Sequence, residues 1–325
     1  MKVRLSLLQI LADGRFHSGE ALGERLGISR AAVWKQLRKL RPLGLNIQAV
    51  RGRGYRLPQP IEFLQDAVID AALPGAARRR LAGIEVFAEI DSTNTYLKMR
   101  AAQGAPSGCV CLSEWQGAGR GRQGRAWVSP FGCNLYLSLL WRFGSGPAAL
   151  AGLSLVIGVA LARALESVAG QCVGLKWPND VVWNGQKLAG ILVEIAGEAS
   201  GPSHAVIGVG VNVRMPDQAG DNIGQPWTDL TRICHKTVSR NALAASVLEQ
   251  LATALHTFEE RGLDAFLDAW RDLDATAGKS IELHLPGRVI GGEARGIDEN
   301  GALMIQVGNE VRRFASGEIS LRVAS

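Results

Sequence analysis

The stretch richest in chemical possibility is Gln116 to Arg125, Gln-Gly-Ala-Gly-Arg-Gly-Arg-Gln-Gly-Arg. Gly117, Gly119, Gly121 and Gly124 remove side-chain bulk and permit positive φ, so backbone N–H groups can close on an anion. Arg120, Arg122 and Arg125 add three permanent charges to the same ten residues. That much glycine entropy and like charge predicts a loop that is mobile when empty and ordered by an anionic ligand; an exposed basic linker is the plainer alternative. The pattern is neither a Walker A loop, which ends in Gly-Lys-Ser/Thr, nor a Rossmann fingerprint.

A second group is Lys176-Trp-Pro-Asn-Asp180 at the end of an apolar strand. Lys176 offers a point charge for phosphate, and Asn179 and Asp180 offer the oxygens that Mg²⁺ prefers. A proline turn with a surface ion pair would carry the same residues. Lys187 precedes an apolar strand in which Gly190 permits close backbone approach, and Gly208-Val-Gly-Val-Asn212 places glycines on one side of a strand with a polar residue at its tip. No Gly-x-Ser-x-Gly occurs, and the five histidines and five cysteines form no evident nucleophile or metal set. Guanidinium and ammonium groups with one carboxylate suit displacement at phosphorus, where positioning and charge neutralisation supply most of the acceleration.

The elements that must position these residues follow from periodicity. At 325 residues, 47% hydrophobic and 20% charged, the chain is long enough for two or three folded units. Its net charge of +6 is uneven: residues 1–60 carry twelve Lys/Arg against three Asp/Glu, the remainder 24 against 27. A basic head on a nearly neutral body points to nucleic acid for the head. Helices are expected near 3–12, 19–26 and 30–40, with Ser18 and Ser29 as caps and Gly27 at the tight turn. Two short strands follow around Arg51-Gly52-Arg53-Gly54, completing a winged helix-turn-helix. Its DNA-contact set is Gly19, Ser29, Arg30, Trp34, Lys35, Arg38, Arg51 and Arg53. Beyond the Pro58-Gln-Pro60 linker, alternating strands and helices predict a mixed sheet with helices on one face, and short strands from Ala277 onward predict a small β-barrel. The fold class is therefore α+β, divided at 1–60, 61–274 and 275–325. The longest apolar run, Ala148 to Ala162, falls short of the ~20 residues of a bilayer span, and no signal peptide is evident, so a cytoplasmic address without membrane contact is expected.

In combination, Asp91-Ser-Thr-Asn94, Gln116 with Gly119-Arg-Gly-Arg-Gln-Gly124, Lys176-Trp-Pro-Asn-Asp180, Lys187-Leu-Ala-Gly-Ile-Leu192, Gly208-Val-Gly-Val-Asn212 and Gly317-Glu-Ile-Ser-Leu-Arg322 resemble the biotin–protein ligases that double as biotin operon repressors. The resemblance runs over nearly the whole chain. It implies synthesis of biotinyl-5′-adenylate from biotin, ATP and Mg²⁺, then transfer of biotin to a lysine of the biotin carboxyl carrier protein of acetyl-CoA carboxylase. It also implies an SH3-like C-terminal barrel and repression through operator DNA. By the same resemblance Ser92, Thr93 and Asn94 hold the ureido end of biotin, with Gln116, Arg120 and Gly121 on its other side. Arg122 clamps the adenylate, Lys187 meets the reacting carboxylate and α-phosphate, and Asp180 with Asn212 places ATP and Mg²⁺, assisted by Lys176 and Asn179. Trp127 and Trp227 wall biotin and adenine, and Arg322 links the barrel to the site. The catalytic set is Lys187, Arg122 and Asp180. Gln123 stands where the loop's commonest form carries a further charge. Ordering of the loop beside the strand edge near Val193 to Ala196 would produce a ligand-induced homodimer. The competing expectations are an adenylate-sensing repressor without catalysis and a lipoate-type acyl ligase.

Overall fold

The computed structural model describes residues 2–170, 172–221, 223–285, 287–315 and 320–323. The basic head begins with α1 (Lys2–Leu11), α2 (Gly19–Leu26) and α3 (Arg30–Arg38). Ser18 Oγ accepts from the Ala21 amide and Ser29 Oγ from the Ala32 amide, each satisfying a donor that the helix start leaves orphaned. Gly27 ends α2 at φ 65°, a left-handed conformation that suits glycine. β1 (Gln48–Val50) and β2 (Gly54–Arg56) pair antiparallel as the wing, and His17 bridges to Tyr55. Leu7, Leu8, Leu11, Leu22, Val33 and Leu37 form the core of this head. Fully buried Phe131 of the body completes it, and its amide donates to Leu43 O at 2.9 Å.

Two short helices follow, α4 (Asp66–Ala72) and α5 (Gly75–Arg78), with Ile69 and Ala77 as their buried residues, too brief a pattern for periodicity to reveal. The body then runs β3 (Gly83–Phe87), α6 (Thr93–Ala102), β4 (Cys109–Ser113), β5 (Leu135–Phe143), α7 (Leu153–Ala169), β6 (Gly174–Lys176), β7 (Asp180–Trp183), β8 (Gln186–Gly197), β9 (Ser203–Val211), α8 (Asp217–Gly220), α9 (Leu230–Cys234), α10 (Arg240–Arg261) and α11 (Asp264–Asp272). Its sheet has the order β3-β4-β5-β9-β8-β7-β6; β3 and β4 are parallel and every other neighbour is antiparallel. Alternation along β5 sends Leu135, Leu137, Leu139, Trp141 and Phe143 into the main core with α7 and α10. Leu140 faces the other way, joining Cys111, Val206, Leu97 and Ala101 beneath α6. The helices therefore gather on one face as expected, with α6 packed on the opposite one.

Arg163 and Glu166 break the apolar run Ala148 to Ala162, yet the helical stretch Pro147–Ala169 spans 23 residues and is, by length and composition alone, apolar enough to cross a bilayer. In the structure 67% of its most apolar window is buried, and α7 is the central core helix, hydrophobic almost all round because the sheet and α10 enclose it.

At the C-terminal end β10 (Ser280–Leu285), β11 (Arg288–Ile297), β12 (Leu303–Val307), β13 (Glu310–Phe314) and β14 (Ser320–Val323) form an antiparallel sheet ordered β13-β12-β11-β10-β14. It docks on the body where Leu175 exchanges backbone hydrogen bonds with Leu273 and Ala275 and Trp177 Nε1 donates to Gly301 O at 3.2 Å.

Candidate active site

The glycine-rich stretch folds as a narrow arm. Trp127 N donates to Gly119 O at 2.8 Å and Gly121 N to Arg125 O at 2.7 Å, with a tight turn at Arg122 to Gly124 forming the tip. Gln123 takes φ 57° there, a conformation uncommon for a residue with a Cβ. At Gly119 a Cβ would lie 2.6 Å from Trp127 O, so close approach of the two arms requires glycine. Arg122 reaches from the tip to the 176–180 turn, donating to Asn179 Oδ1 at 3.1 Å. Burial pulls the Arg122 pKa below its ordinary value, partly offset by the carboxylate of Asp180. Arg120 turns the other way, 3.4 Å from Glu194.

The floor of the site is the β8–β9 ladder. Gly190 and Gly210 face each other across it, and a Cβ at either would fall within 2.8 Å of the Trp127 ring. Two residues earlier on β9, a Cβ at Gly208 would lie 2.3 Å from Asn94 Oδ1. The alternating glycines are thus slots occupied by Trp127 and Asn94. Around Asn94 lies a polar web: Thr93 N donates to Gln116 Oε1 at 3.0 Å, Gln116 Nε2 to Ser129 Oγ at 3.2 Å, and Asn94 Nδ2 to Glu194 Oε2 at 3.0 Å. Ser138 Oγ sits 2.7 Å from Thr93 Oγ1 and 2.6 Å from Asn94 Oδ1; with one hydroxyl proton it donates to one of them at a time. Ser92 caps α6 through the Thr95 amide, which fixes the turn that delivers Thr93 and Asn94. Burial pushes the Glu194 carboxyl up, but hydrogen bonds from Lys98 and Asn94 and the charge of Arg120 outweigh it, leaving it below the ordinary range.

Lys187 occupies the middle of the cavity wall. Its ammonium lies 2.7 Å from Asp180 Oδ1 and 5.5 Å from the centre of the Trp127 ring. A bulge puts it there: Val181 pairs with Ala189 but Val182 with Lys187, so β8 carries an extra residue. Lys187 can face the cavity while Leu188 and Ala189 both stay in the core. Asn212, nearly fully buried, donates to Thr228 O at 3.0 Å and Lys187 O at 3.4 Å, bracing the segment that carries Trp227 against β8. Pro226 and Thr228 complete that brace through backbone bonds to Lys187.

Together these residues enclose one cavity of about 820 Å³. Ser92, Thr93, Asn94, Gln116, Arg120, Gly121, Arg122, Trp127, Lys176, Asn179, Asp180, Lys187, Asn212 and Trp227 all border it, as do Thr276 and Lys279 of the C-terminal segment. The side chain of Arg322 lies outside the described residues, as do Gly317 to Ile319; the Arg322 backbone pairs with Glu282 in β14. Among the described residues no group of three or more His, Cys, Asp or Glu is placed to hold a metal. Ser138, Ser129 and Glu194 were not found by sequence reasoning. The signal for Ser138 was a small hydroxyl residue between the large apolar Leu137 and Leu139 of β5.

On the head, Ser29, Arg30, Trp34, Lys35, Arg38 and Arg51 are exposed, and Arg38 lies over the Trp34 ring at 4.8 Å. Arg53 is exposed and stacks on Phe16 at 4.3 Å. Gly19 does not belong with them: it is buried beneath Arg30 and the Tyr55 ring, where it spaces α2 from the wing.

Comparison with known proteins adds a second line. Residues 86–212 match the model of the biotin/lipoate A/B protein ligase family, 3–56 an HTH domain, and 276–322 the biotin protein ligase C terminal domain. The chain is 44% identical over 322 residues to the bifunctional ligase/repressor BirA of Salmonella typhimurium, covering 99% of this chain and 98% of that protein. The Escherichia coli BirA is 43% identical over the same length. The structure of Aquifex aeolicus biotin protein ligase in complex with biotin and ATP superposes with TM-score 0.65 and 29% identity, over 75% of this chain and all of that one.

Proposed function

Because the chain belongs to the family of bifunctional biotin ligase/repressors, we propose that its body joins biotin to ATP as biotinyl-5′-adenylate and passes biotin to a carrier-protein lysine, while its head represses transcription from an operator. The observation that carries this reading is the order of groups along β9. The polar web meets Gly208, Trp127 and Lys187 crowd Gly190 opposite Gly210, and Asn212 braces the Trp227 segment. Those four residue steps cover about 13 Å and set groups suited to a ureido head, a carboxylate and a nucleotide in that order along one strand.

In the first step a biotin carboxylate oxygen attacks the α-phosphorus of ATP and pyrophosphate leaves. Lys187 and Arg122 neutralise the charge that gathers on the phosphoryl oxygens, and the arm over them excludes water from the mixed anhydride. In the second, the carrier lysine amine attacks the acyl carbon, an amide bond forms and AMP leaves with the electron pair. Thr93, Asn94 and Gln116 orient biotin; Lys176 and Asn179 serve the phosphates. Asp180, whose Oδ1 lies 2.7 Å from Lys187 Nζ, is the residue that would hold Mg²⁺, and the ion would supply charge neutralisation to the leaving pyrophosphate. The reading assigns these tasks to units at 1–60, 61–274 and 275–325, in a cytoplasmic protein that dimerises when the adenylate is bound. Its substrates include the biotin carboxyl carrier protein of acetyl-CoA carboxylase.

The experiment mixes the chain with ATP, Mg²⁺ and either biotin or lipoate, and follows pyrophosphate and label transfer to a purified carrier domain. Biotin-dependent pyrophosphate and a biotinylated carrier are expected. Turnover with lipoate alone would replace the substrate, and no turnover with either would leave a sensor without catalysis.

A further inference from the structure

Trp227 borders the cavity, but what holds its ring lies outside it. The guanidinium carbon of Arg232 sits 4.2 Å from the ring centre, and a Cβ on Gly220 would meet the six-membered ring at 2.0 Å. Arg232 does not border the cavity. The same guanidinium pairs with Asp217, at the start of α8, and its Nε lies 3.3 Å from Asp229 Oδ2. Asp229, 2% exposed, also accepts from the Arg232 amide at 2.8 Å and the Met215 amide at 3.1 Å. One planar cation is thus stacked on the indole and tied to a carboxylate on the stretch before the ring and to another just after it. A ring held this way has given up rotamer freedom before any ligand arrives. Residues 214–226 contain few large apolar side chains that could grip an indole, so charge and stacking take that role.

Resting on the reading that the nucleotide base lies against Trp227, we propose that Arg232 is a positioning residue for ATP. It fixes the Trp227 ring from behind as a preformed stacking wall and does not itself touch the base. Sequence reasoning gave no hint of it, because Thr-Asp-Leu-Thr-Arg reads as an ordinary capped helix start.

The test is steady-state pyrophosphate release by the full chain carrying Arg232→Met, Arg232→Lys, Asp217→Asn or Trp227→Ala. In Arg232→Met, KM for ATP is expected to rise roughly three- to tenfold, the range for a partly exposed cation–π contact with an ion pair. KM for biotin and kcat should stay within about twofold. Arg232→Lys, which keeps the charge but loses the planar fork, should fall between it and the parent, and Asp217→Asn should raise the ATP KM by about twofold. The Asp217 side chain is 89% exposed, so where Arg232→Met folds poorly Asp217→Asn takes its place, and an unchanged ATP KM in Asp217→Asn would then overturn the proposal. An unchanged ATP KM in Arg232→Met, or equal losses in kcat and both KM values in Arg232→Met and Asp217→Asn, would overturn the proposal. Trp227→Ala separates the two layers. If it raises the ATP KM while Arg232→Met does not, only the proposal fails; if it leaves the ATP KM unchanged, the placement of the nucleotide fails and takes the proposal with it.

Discussion

Arg122 is a guanidinium drawn into the protein at the tip of a glycine-rich arm, and burial of a cation is unfavourable unless negative charge meets it. Asp180 offsets part of that penalty and an acyl phosphate would offset more, which ties the arm to the ligand. Arg122→Gly should therefore speed dissociation of biotinyl-5′-adenylate by at least about tenfold, on the scale of one charge-assisted contact, and biotinylate bystander lysines. Stopped-flow release of the adenylate checks this, and a parental off-rate contradicts it. Ser138 lies deeper, fully buried between Thr93 and Asn94. Ser138→Ala removes a donor from that web and should raise KM for biotin about fivefold or more while changing KM for ATP little, as read by the same kinetics.

The residues legible in advance were those whose type alone restricts the backbone or carries charge: the loop glycines and arginines, Lys187, Asp180, and Gly208 with Gly210. The glycines were read as making room, and the structure shows what fills it, Asn94 and Trp127. Ser138 and Glu194 were not legible because their partners come from distant parts of the chain; Arg232 has near neighbours in Trp227, Asp229 and Asp217, but a single charge has no periodicity to show which of them it meets. Gly19 differs from the rest of its set for a related reason: its place at the start of α2 says nothing of the Tyr55 ring above it.

At the scale of elements, helix starts were readable from Ser18, Ser29, Ser92 and Ser239, each of which caps the helix that follows it. The linker was readable only as a break. Its far end is in fact pinned: Glu62 accepts hydrogen bonds from Ser239 Oγ at 2.7 Å, Asn241 Nδ2 at 2.9 Å and the Arg240 amide, while Arg240 forms a buried ion pair with Glu114 at 2.8 Å. Burial alone would raise the Glu62 pKa, but those hydrogen bonds outweigh it and leave the carboxyl below its ordinary 4.5. A depressed carboxyl contributes stability that is present above the unfolded value and is lost as pH falls through the folded one. Glu62→Gln should therefore lower Tm by about 2–4 °C at pH 7, and the gap from the parent should close below pH 4.5 as the parental carboxyl takes up its proton. A calorimetric difference that stays constant down through the acid range would contradict this.

For the whole molecule, the head is not a tethered ornament. Phe131, which completes the head's core, lies four residues after Trp127 in the turn leaving the glycine-rich arm, and Arg4 pairs with Glu89 of the body. Dimerisation would act at the far end of β8. β9 pairs with β8 as far as Gly197, whereas β7 pairs only as far as Gly190, so Val193 to Gly197 present a backbone edge without a strand neighbour among the described residues, with Ile195 39% exposed. Glu194 on that edge holds Arg120 of the arm, which borders the cavity, so cavity and edge are in direct physical contact. Adenylate should shift the chain from monomer toward dimer in sedimentation, and Ile195→Glu should weaken that shift without raising KM for biotin or ATP. An adenylate-independent monomer–dimer balance would contradict the link.

The most direct test of the central claim is a crystal structure of the chain with biotinyl-5′-adenylate. The ureido head should lie against Thr93, Asn94 and Gln116, the acyl phosphate within hydrogen-bond reach of Lys187 Nζ and the Arg122 guanidinium, and the adenine on Trp227. An adenylate bound elsewhere, with the Arg122–Lys187 gap empty, would contradict the account.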